Sequence, residues 1–441
     1  MMKRPILFFA ALAACVSPLS AQDDTPEGFT ALFNGQNLEG WFGHGTKDPR
    51  TLWKMTPEAL AAHKKSTLED VNAHWSVVDG ILVNDGRGLY LTTDKDYRDF
   101  ELQLEYKTVA KADSGIYLRG VPQVQIWDHT DPEKFKHGAD KGSGGLWNNS
   151  PGSPGKNPSV VADKPFGEWN KFRILMVGER VSVWLNDKMV VDHATMENYF
   201  EKKKKLADRM PMFARGPIQL QTHGGEISWK NVWLREIGSE EANALLRAKS
   251  GQEGFDSLFD GESLSGWKGA LDNYEVVDGA IRCQKGKGGN LLHETEYGDV
   301  HLRFEFKLPP GGNNGIALRC PDANQNPAYA GLEVQVLDDT HPKYAKLKPY
   351  QFHGSVYTLV AAKTGYLRPV GEWNYEEIIY RGSRIQVILN GTRIIDADLA
   401  EIPQPADPKK AHKGKERASG FLGFAGHNDP VEFRNIDAKK L

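Results

Sequence analysis

A glutamate and a glutamine two residues apart in an apolar run are the pair in this sequence best placed to do chemistry: Glu333 and Gln335 in Gly331-Leu332-Glu333-Val334-Gln335-Val336-Leu337-Asp338. Leu332, Val334 and Val336 alternate with them, the period-2 signature of a strand with one buried face, so the carboxylate and the carboxamide point the same way. A sugar site could be built on that face. Asp338 joins it only if a bulge re-aims the strand end. The competing structural reading is a solvated sheet face.

The same stretch occurs earlier as Val121-Pro122-Gln123-Val124-Gln125-Ile126-Trp127-Asp128, and the rest of the chain repeats with it. Gly28-Phe29-Thr30-Ala31-Leu32-Phe33-Asn34-Gly35 returns as Gly254-Phe255-Asp256-Ser257-Leu258-Phe259-Asp260-Gly261, and Ser114-Gly115-Ile116-Tyr117-Leu118-Arg119 as Asn314-Gly315-Ile316-Ala317-Leu318-Arg319. Gly167-Glu168-Trp169-Asn170 returns as Gly371-Glu372-Trp373-Asn374, and His223 as His427. Two homologous domains follow, at 27–238 and 253–441. Between them Ser239 to Gln252 reads as a short linker helix capped by Ser239.

At 441 residues the chain suits two domains of roughly 200 residues each. Eleven Trp, 14 Tyr, 45 Gly and 24 Pro, with few long helical patterns, indicate a turn-rich β protein. Strands such as Leu302, Phe304 and Phe306 against Arg303, Glu305 and Lys307, joined by Asp-Gly and Asn turns without a βαβ rhythm, predict antiparallel, half-exposed sheets. The fold class is therefore all-β, two tandem jelly-roll sandwiches, each with a concave face. The insertion from Ala194 to Arg215 reads as a solvated loop or short helix. The net charge of −3, from 55 basic and 58 acidic residues spread along the chain, gives no footprint for nucleic acid.

Asn314-Gly315-Ile316-x-Leu318-Arg319, Glu333-x-Gln335-x-x-Asp338-Asp339, Tyr350-Gln351-x-His353-Gly354-Ser355-x-Tyr357, Gly371-Glu372-Trp373-Asn374 and Phe433-Arg434-Asn435-Ile436 resemble the 3-keto-disaccharide hydrolase family, also described as 3-keto-glucoside 1,2-lyases and hydratases. The resemblance spans both repeats. It implies a concanavalin A-like sandwich in each and action on glycosides whose C3 hydroxyl is oxidised to a ketone. A C3 ketone acidifies the C2 proton, so a base can remove it, the C1 substituent can leave, and water can then add. On that reading Glu333 or His353 is the base, Asp338 the acid or the residue orienting His353, and Arg319 the cation facing the enolate. Gln335, Tyr357 and His427 would bind substrate. The structural alternatives are an ion pair between Arg319 and Glu333, and a core role for His353.

The first repeat departs from the pattern, since Gln123 replaces Glu333 and Trp147 stands where Tyr357 does. It keeps Arg119, Gln125, Asp128 and His223, and with Trp147 these could bind sugar. Asp338, Asp339 and His341, and Asp128, His129 and Asp131, leave a divalent metal open, against turn initiation as the other reading. Two other function classes compete. Glu333-x-Gln335-x-x-Asp338 resembles the Glu-x-Asp-x-x-Glu strand of concanavalin-like glucanases, which would make an ordinary glycosidase, and the concave face would equally serve a lectin-like module.

Lys3-Arg4, the apolar run from Ile6 to Ala14 and the small residues after it predict an export signal over residues 1–21. Cleavage before Gln22 would release a periplasmic or secreted protein, whereas Leu12-Ala13-Ala14-Cys15 as a lipobox would leave a lipid anchor at Cys15. Cys283 and Cys320 could pair in an oxidising compartment.

Overall fold

The computed structural model describes residues 25–404 and 411–441; the segment read as an export signal, Cys15 included, lies outside them. The chain forms two β-sandwiches, each an eight-stranded outer sheet on a five-stranded inner sheet. In the first, the outer sheet runs Lys188–Thr195, Arg180–Leu185, Asn170–Val177, Phe100–Thr108, Ile227–Glu236, Ile81–Asn84, Trp75–Val78, with Thr30–Ala31 on Ile227–Glu236. The inner sheet runs Trp41–His44, Tyr90–Thr93, Gln219–Leu220, Asp113–Leu118, Val121–Trp127. The second sandwich repeats this order, its inner sheet being Trp267–Gly269, Gly288–Tyr297, Gly420–His427, Asn313–Cys320, Leu332–Leu337. Neighbouring strands are antiparallel throughout. The hairpin turns contain Asp79 and Asp278 at φ 51° and 49°, and Asn186 and Asn390 at 49° and 50°, the left-handed conformation that Asp and Asn tolerate better than most residues.

Alternation sorts each strand between two environments. Ile116, Leu118, Val124 and Ile126 enter the first core, and Ile316, Leu318, Val334 and Val336 the second. Their polar neighbours face the concave side.

The linker is α3 (Ser239–Ser250), but Ser239 is its first helical residue and Gly238 the cap position, with no side-chain cap. This helix explains why one sheet is less exposed than its alternating sequence predicts. Glu305 and Arg303 are buried on the outer face of Val300–Lys307. Glu305 accepts from Asn243 of α3 at 3.2 Å and from Arg434 and Asn435 at 2.8 and 2.7 Å. Arg303 donates to Asp437 and to Gln252 just beyond α3, at 2.9 and 2.6 Å. Ala242 and Leu246 of α3 pack with Val177, Ile237 and Tyr375, which joins the two sandwiches.

Two helices absent from the sequence reading lie between Trp41–His44 and Trp75–Val78, α1 (Arg50–Trp53) and α2 (Pro57–His74). The start of α2 follows a rule: Thr56 accepts from the Ala59 N–H and Pro57 opens the helix. It lies on Trp41–His44, where Thr67 accepts from the Gly43 N–H at 2.9 Å. The insertion from Ala194 to Arg215 contains two short 3₁₀ turns, Tyr199–Glu201 and Leu206–Asp208. Cys283 and Cys320 are both buried free thiols rather than a disulfide.

Asp99 is a buried junction. It accepts from Arg119 at 3.0 Å, from the Gly178 N–H at 2.9 Å and from Arg368 of the second sandwich at 3.4 Å. Breaking a buried pair by removing one partner costs about 3–5 kcal/mol, because the other charge is left unpaired. Asp99→Ala should therefore lower stability by about that amount, read as a lower midpoint in urea unfolding.

Candidate active site

The concave side of the second sandwich holds a cleft of about 230 Å³ lined by Glu333, Gln335, Tyr357 and His427, together with Asn313, Tyr329 and Gln351. Glu333 and Gln335 are each 5% exposed, so their strand face is covered rather than solvated. The cover comes from the turn α4 (Pro327–Ala330), the loop through Tyr344 and the segment ending at Tyr357. That last segment runs beside the edge strand: Tyr357 N–H donates to Glu333 C=O at 2.9 Å and Gly354 N–H to Gln335 C=O at 2.7 Å.

Gly315 lets the glutamate lie where it does. A Cβ there would meet Glu333 Oε1 at 2.3 Å and its Cδ at 2.7 Å. His427 Nε2 stands 3.7 Å from Glu333 Oε1, on a half-exposed ring at the rim. The Glu333 carboxylate raises the His427 pKa above its ordinary value, against the opposing effect of burial. Gln335 donates to Asn313 Oδ1 at 2.6 Å, and Gln351 to the Tyr357 hydroxyl at 3.4 Å. The cleft thus gathers a carboxylate, an imidazole whose pKa that carboxylate raises, three phenols and a set of amides: one base, one acid and several hydroxyl partners.

Three residues read from sequence as catalytic point elsewhere. Arg319 donates to Arg417 C=O at 2.9 Å, Gly298 C=O at 3.3 Å and Asp299 at 3.2 Å, with its guanidinium 3.9 Å from the Tyr380 ring centre. Its ion-pair partner is Asp299, not Glu333. Asp338 lies in the turn after the strand. Burial pushes its carboxyl up, but hydrogen bonds from Thr340 and the Gly311 N–H outweigh that and hold its pKa below the ordinary value. His353 is 2% exposed between the sheets, 2.9 Å from Glu376 and tilted on Phe306. It is a core histidine.

The metal-type donors are likewise spent on turns. His341 Nδ1 accepts from the Lys343 N–H at 3.2 Å and Asp339 from the His353 N–H at 2.8 Å. Among the described residues, no group of three or more His, Cys, Asp or Glu side chains is arranged to hold a metal ion.

In the first sandwich, Arg119 is wholly buried in bonds to Gly178 C=O, Phe213 C=O and Asp99, so it faces no substrate. Asp128 caps its turn through Thr130 and the Lys111 N–H. Trp147 is partly exposed and donates to His137 C=O at 3.0 Å. Gln125 and His223 meet at Asp113, which accepts from them at 2.9 and 3.1 Å.

The sequence reading missed Tyr329, Asn326 and Asn313. The first two lie in Cys320 to Gly331, an insertion with no counterpart after Arg119, so comparison of the repeats could not reveal them.

The family described as 3-keto-alpha-glucoside-1,2-lyase-like domain matches residues 28–235 and again 254–439. The chain belongs to this family. Membership makes it a hydrolase-like carbohydrate-active enzyme. It is similar to a 3-keto-disaccharide hydrolase of Bacteroides thetaiotaomicron, 30% identical over 232 residues, a match covering 43% of this chain and 79% of the relative. Two solved structures from Parabacteroides distasonis, both described as candidate glycosyl hydrolases, are 27% and 23% identical. They cover 42% and 46% of this chain and 99% and 98% of their own, with TM-scores of 0.38 and 0.37.

The Glu333–His427 contact can be checked without any substrate. Gly315→Ala should drive the carboxylate off the strand and Glu333→Gln should neutralise it. In both variants the His427 pKa, followed by NMR, should fall back toward 6.5. An unchanged titration would mean that Glu333 does not sit against His427.

Proposed function

We propose that this enzyme cleaves glycosides oxidised at C3 by 1,2-elimination in the cleft of the second sandwich, and that hydration of the product completes net hydrolysis. Glu333 takes the C2 proton, the freed electron pair forms the C1–C2 double bond, and the C1–O bond breaks. The leaving oxygen takes its proton from the His427 imidazolium. Water then adds its oxygen to C1 and a proton to C2. Tyr357 and Tyr329 flank the sugar ring, and Gln335 and Asn313 accept and donate hydrogen bonds to its hydroxyls. The relative's name supplies the substrate class.

One observation carries this reading. Among the described residues lining the cleft, Glu333 is the one carboxylate, and its partner is an imidazole. Ordinary glycoside hydrolysis calls for two carboxyl groups flanking the bond, and Asp338 is committed to its turn. Elimination next to a ketone needs one base and one acid. His427 takes the role of acid that the sequence reading gave to Asp338. Export of the chain, by the signal before Gln22, belongs to the same proposal.

Glu333→Gln should lower turnover of a 3-keto-glucoside by about 10² to 10⁴-fold, the usual contribution of a positioned base, in an assay following the enone and the released aglycone. Full activity in that variant would sink the assignment. The pH profile gives a second check. Glu333 raises the His427 pKa, so the proton that His427 donates is held to a higher pH than on a free imidazole, and kcat should fall on the alkaline side at a pH above 6.5. His427→Gln should abolish that limb; a limb that persists unchanged would remove His427 as the acid.

A further inference from the structure

The concave face of the first sandwich differs from that of the second in a consistent way. Gln219 and Gln221 stand where the second sandwich has Gly423 and Ala425, Tyr117 where it has Ala317, and Tyr90 where it has Asn290. In the second sandwich this part of the face is an apolar patch of Leu292, Ala317 and Cys320. In the first it is made of carboxamides and phenols. Gln123 and Gln125 continue it on the edge strand, as deeply sunk as Glu333 and Gln335 in the cleft of the other half.

These groups are only partly satisfied. Gln219 donates to Thr92 at 3.0 Å, and Gln221 donates at 3.4 and 3.5 Å to the hydroxyls of Tyr117 and Tyr90, whose rings meet edge to face. The side-chain oxygens of Gln219 and Gln221 have no partner, although the residues are 0% and 5% exposed. A buried acceptor without a donor costs about 1–3 kcal/mol, and O–H groups would relieve it. Catalytic groups are missing from the same face. Gln123 has no basic lone pair to match Glu333, and Asp113 is occupied by His223, Lys134 and Gln125 at 3.1, 2.9 and 2.9 Å.

We propose that this face is a second saccharide site, which binds a neutral pyranose through its intact hydroxyls and does not turn it over. Two orphan acceptors call for hydroxyl donors, and a C3 ketone offers none there, so the site favours the unoxidised sugar over the 3-keto form. The inference rests on the proposed function only in taking sugars as the ligand class.

The test is calorimetric titration of the full chain carrying Glu333→Gln with methyl glucoside. Saturable binding is expected, weakened about tenfold by Gln221→Leu, the loss typical of one hydrogen bond to a buried partner. Tyr90→Phe, which keeps the ring and removes one phenol, should weaken it in the same direction and decides the matter if Gln221→Leu fails to fold. No saturable binding, or binding that both substitutions leave intact, overturns the proposal. Turnover of a 3-keto-glucoside by the unaltered enzyme is measured beside it. Turnover without glucoside binding sinks this inference alone, and glucoside binding that these substitutions weaken, without turnover, upholds it while sinking the catalytic reading.

Discussion

Each sandwich is bolted at one end by an aspartate–arginine pair that spans its two sheets, the fully buried Asp99–Arg119 in the first and Asp299–Arg319, with its arginine buried, in the second. The aspartate precedes an outer strand and the arginine stands at the end of an inner one. Both arginines sit at positive φ, 52° and 48°, a conformation that costs a residue with a Cβ about 1 kcal/mol. Their guanidiniums also bond backbone carbonyls, so the strained turn is held by several charge-assisted bonds at once. The edge strand that carries Gln123 or Glu333 comes next in the chain, directly after that turn in the first sandwich and beyond the Cys320–Gly331 insertion in the second. Its register, and with it the choice of which side chains face the cleft, follows from a polar contact rather than from the apolar core alone.

The two halves share this frame and differ in what they bury within it. His353 and Glu376 form a polar pair inside the second core, where the first has Ser143 and Phe172, the latter stacked on Tyr106. On the concave face a carboxylate and an amide exchange places: Asp113 and Gln123 in one half, Asn313 and Glu333 in the other. Each carboxylate keeps a histidine, His223 or His427. In the first half the carboxylate is also claimed by a lysine and a glutamine, and in the second it remains open to the cleft.

The sandwich and its duplication were legible because period-2 alternation and Asp-Gly or Asn turns are local properties of the chain. Glu333, Gln335, Tyr357 and His427 were legible as neighbours for a related reason, since strand periodicity and the internal repeat bring them to one face. Arg319, Asp338 and His353 were misread. Residue type alone does not say whether a buried polar side chain meets a ligand, a turn or the opposite sheet, and each of these three found its partners inside the protein. The outer face of Val300–Lys307 was expected in solvent because nothing in its own sequence announces that α3 will lie across it.

Arg368 gives the molecule a direction in time. Its guanidinium reaches back to Asp99, a carboxylate made long before it in synthesis, and to Ser239 C=O and Asn243 of the linker helix at 3.0 and 2.6 Å. When the first half leaves the ribosome, Asp99 already has Arg119 as its counter-charge. Arg368 arrives last, and the carboxylate it pairs with belongs to the half already made. The amino-terminal sandwich thus offers the second half a carboxylate that is already paired when Arg368 is made.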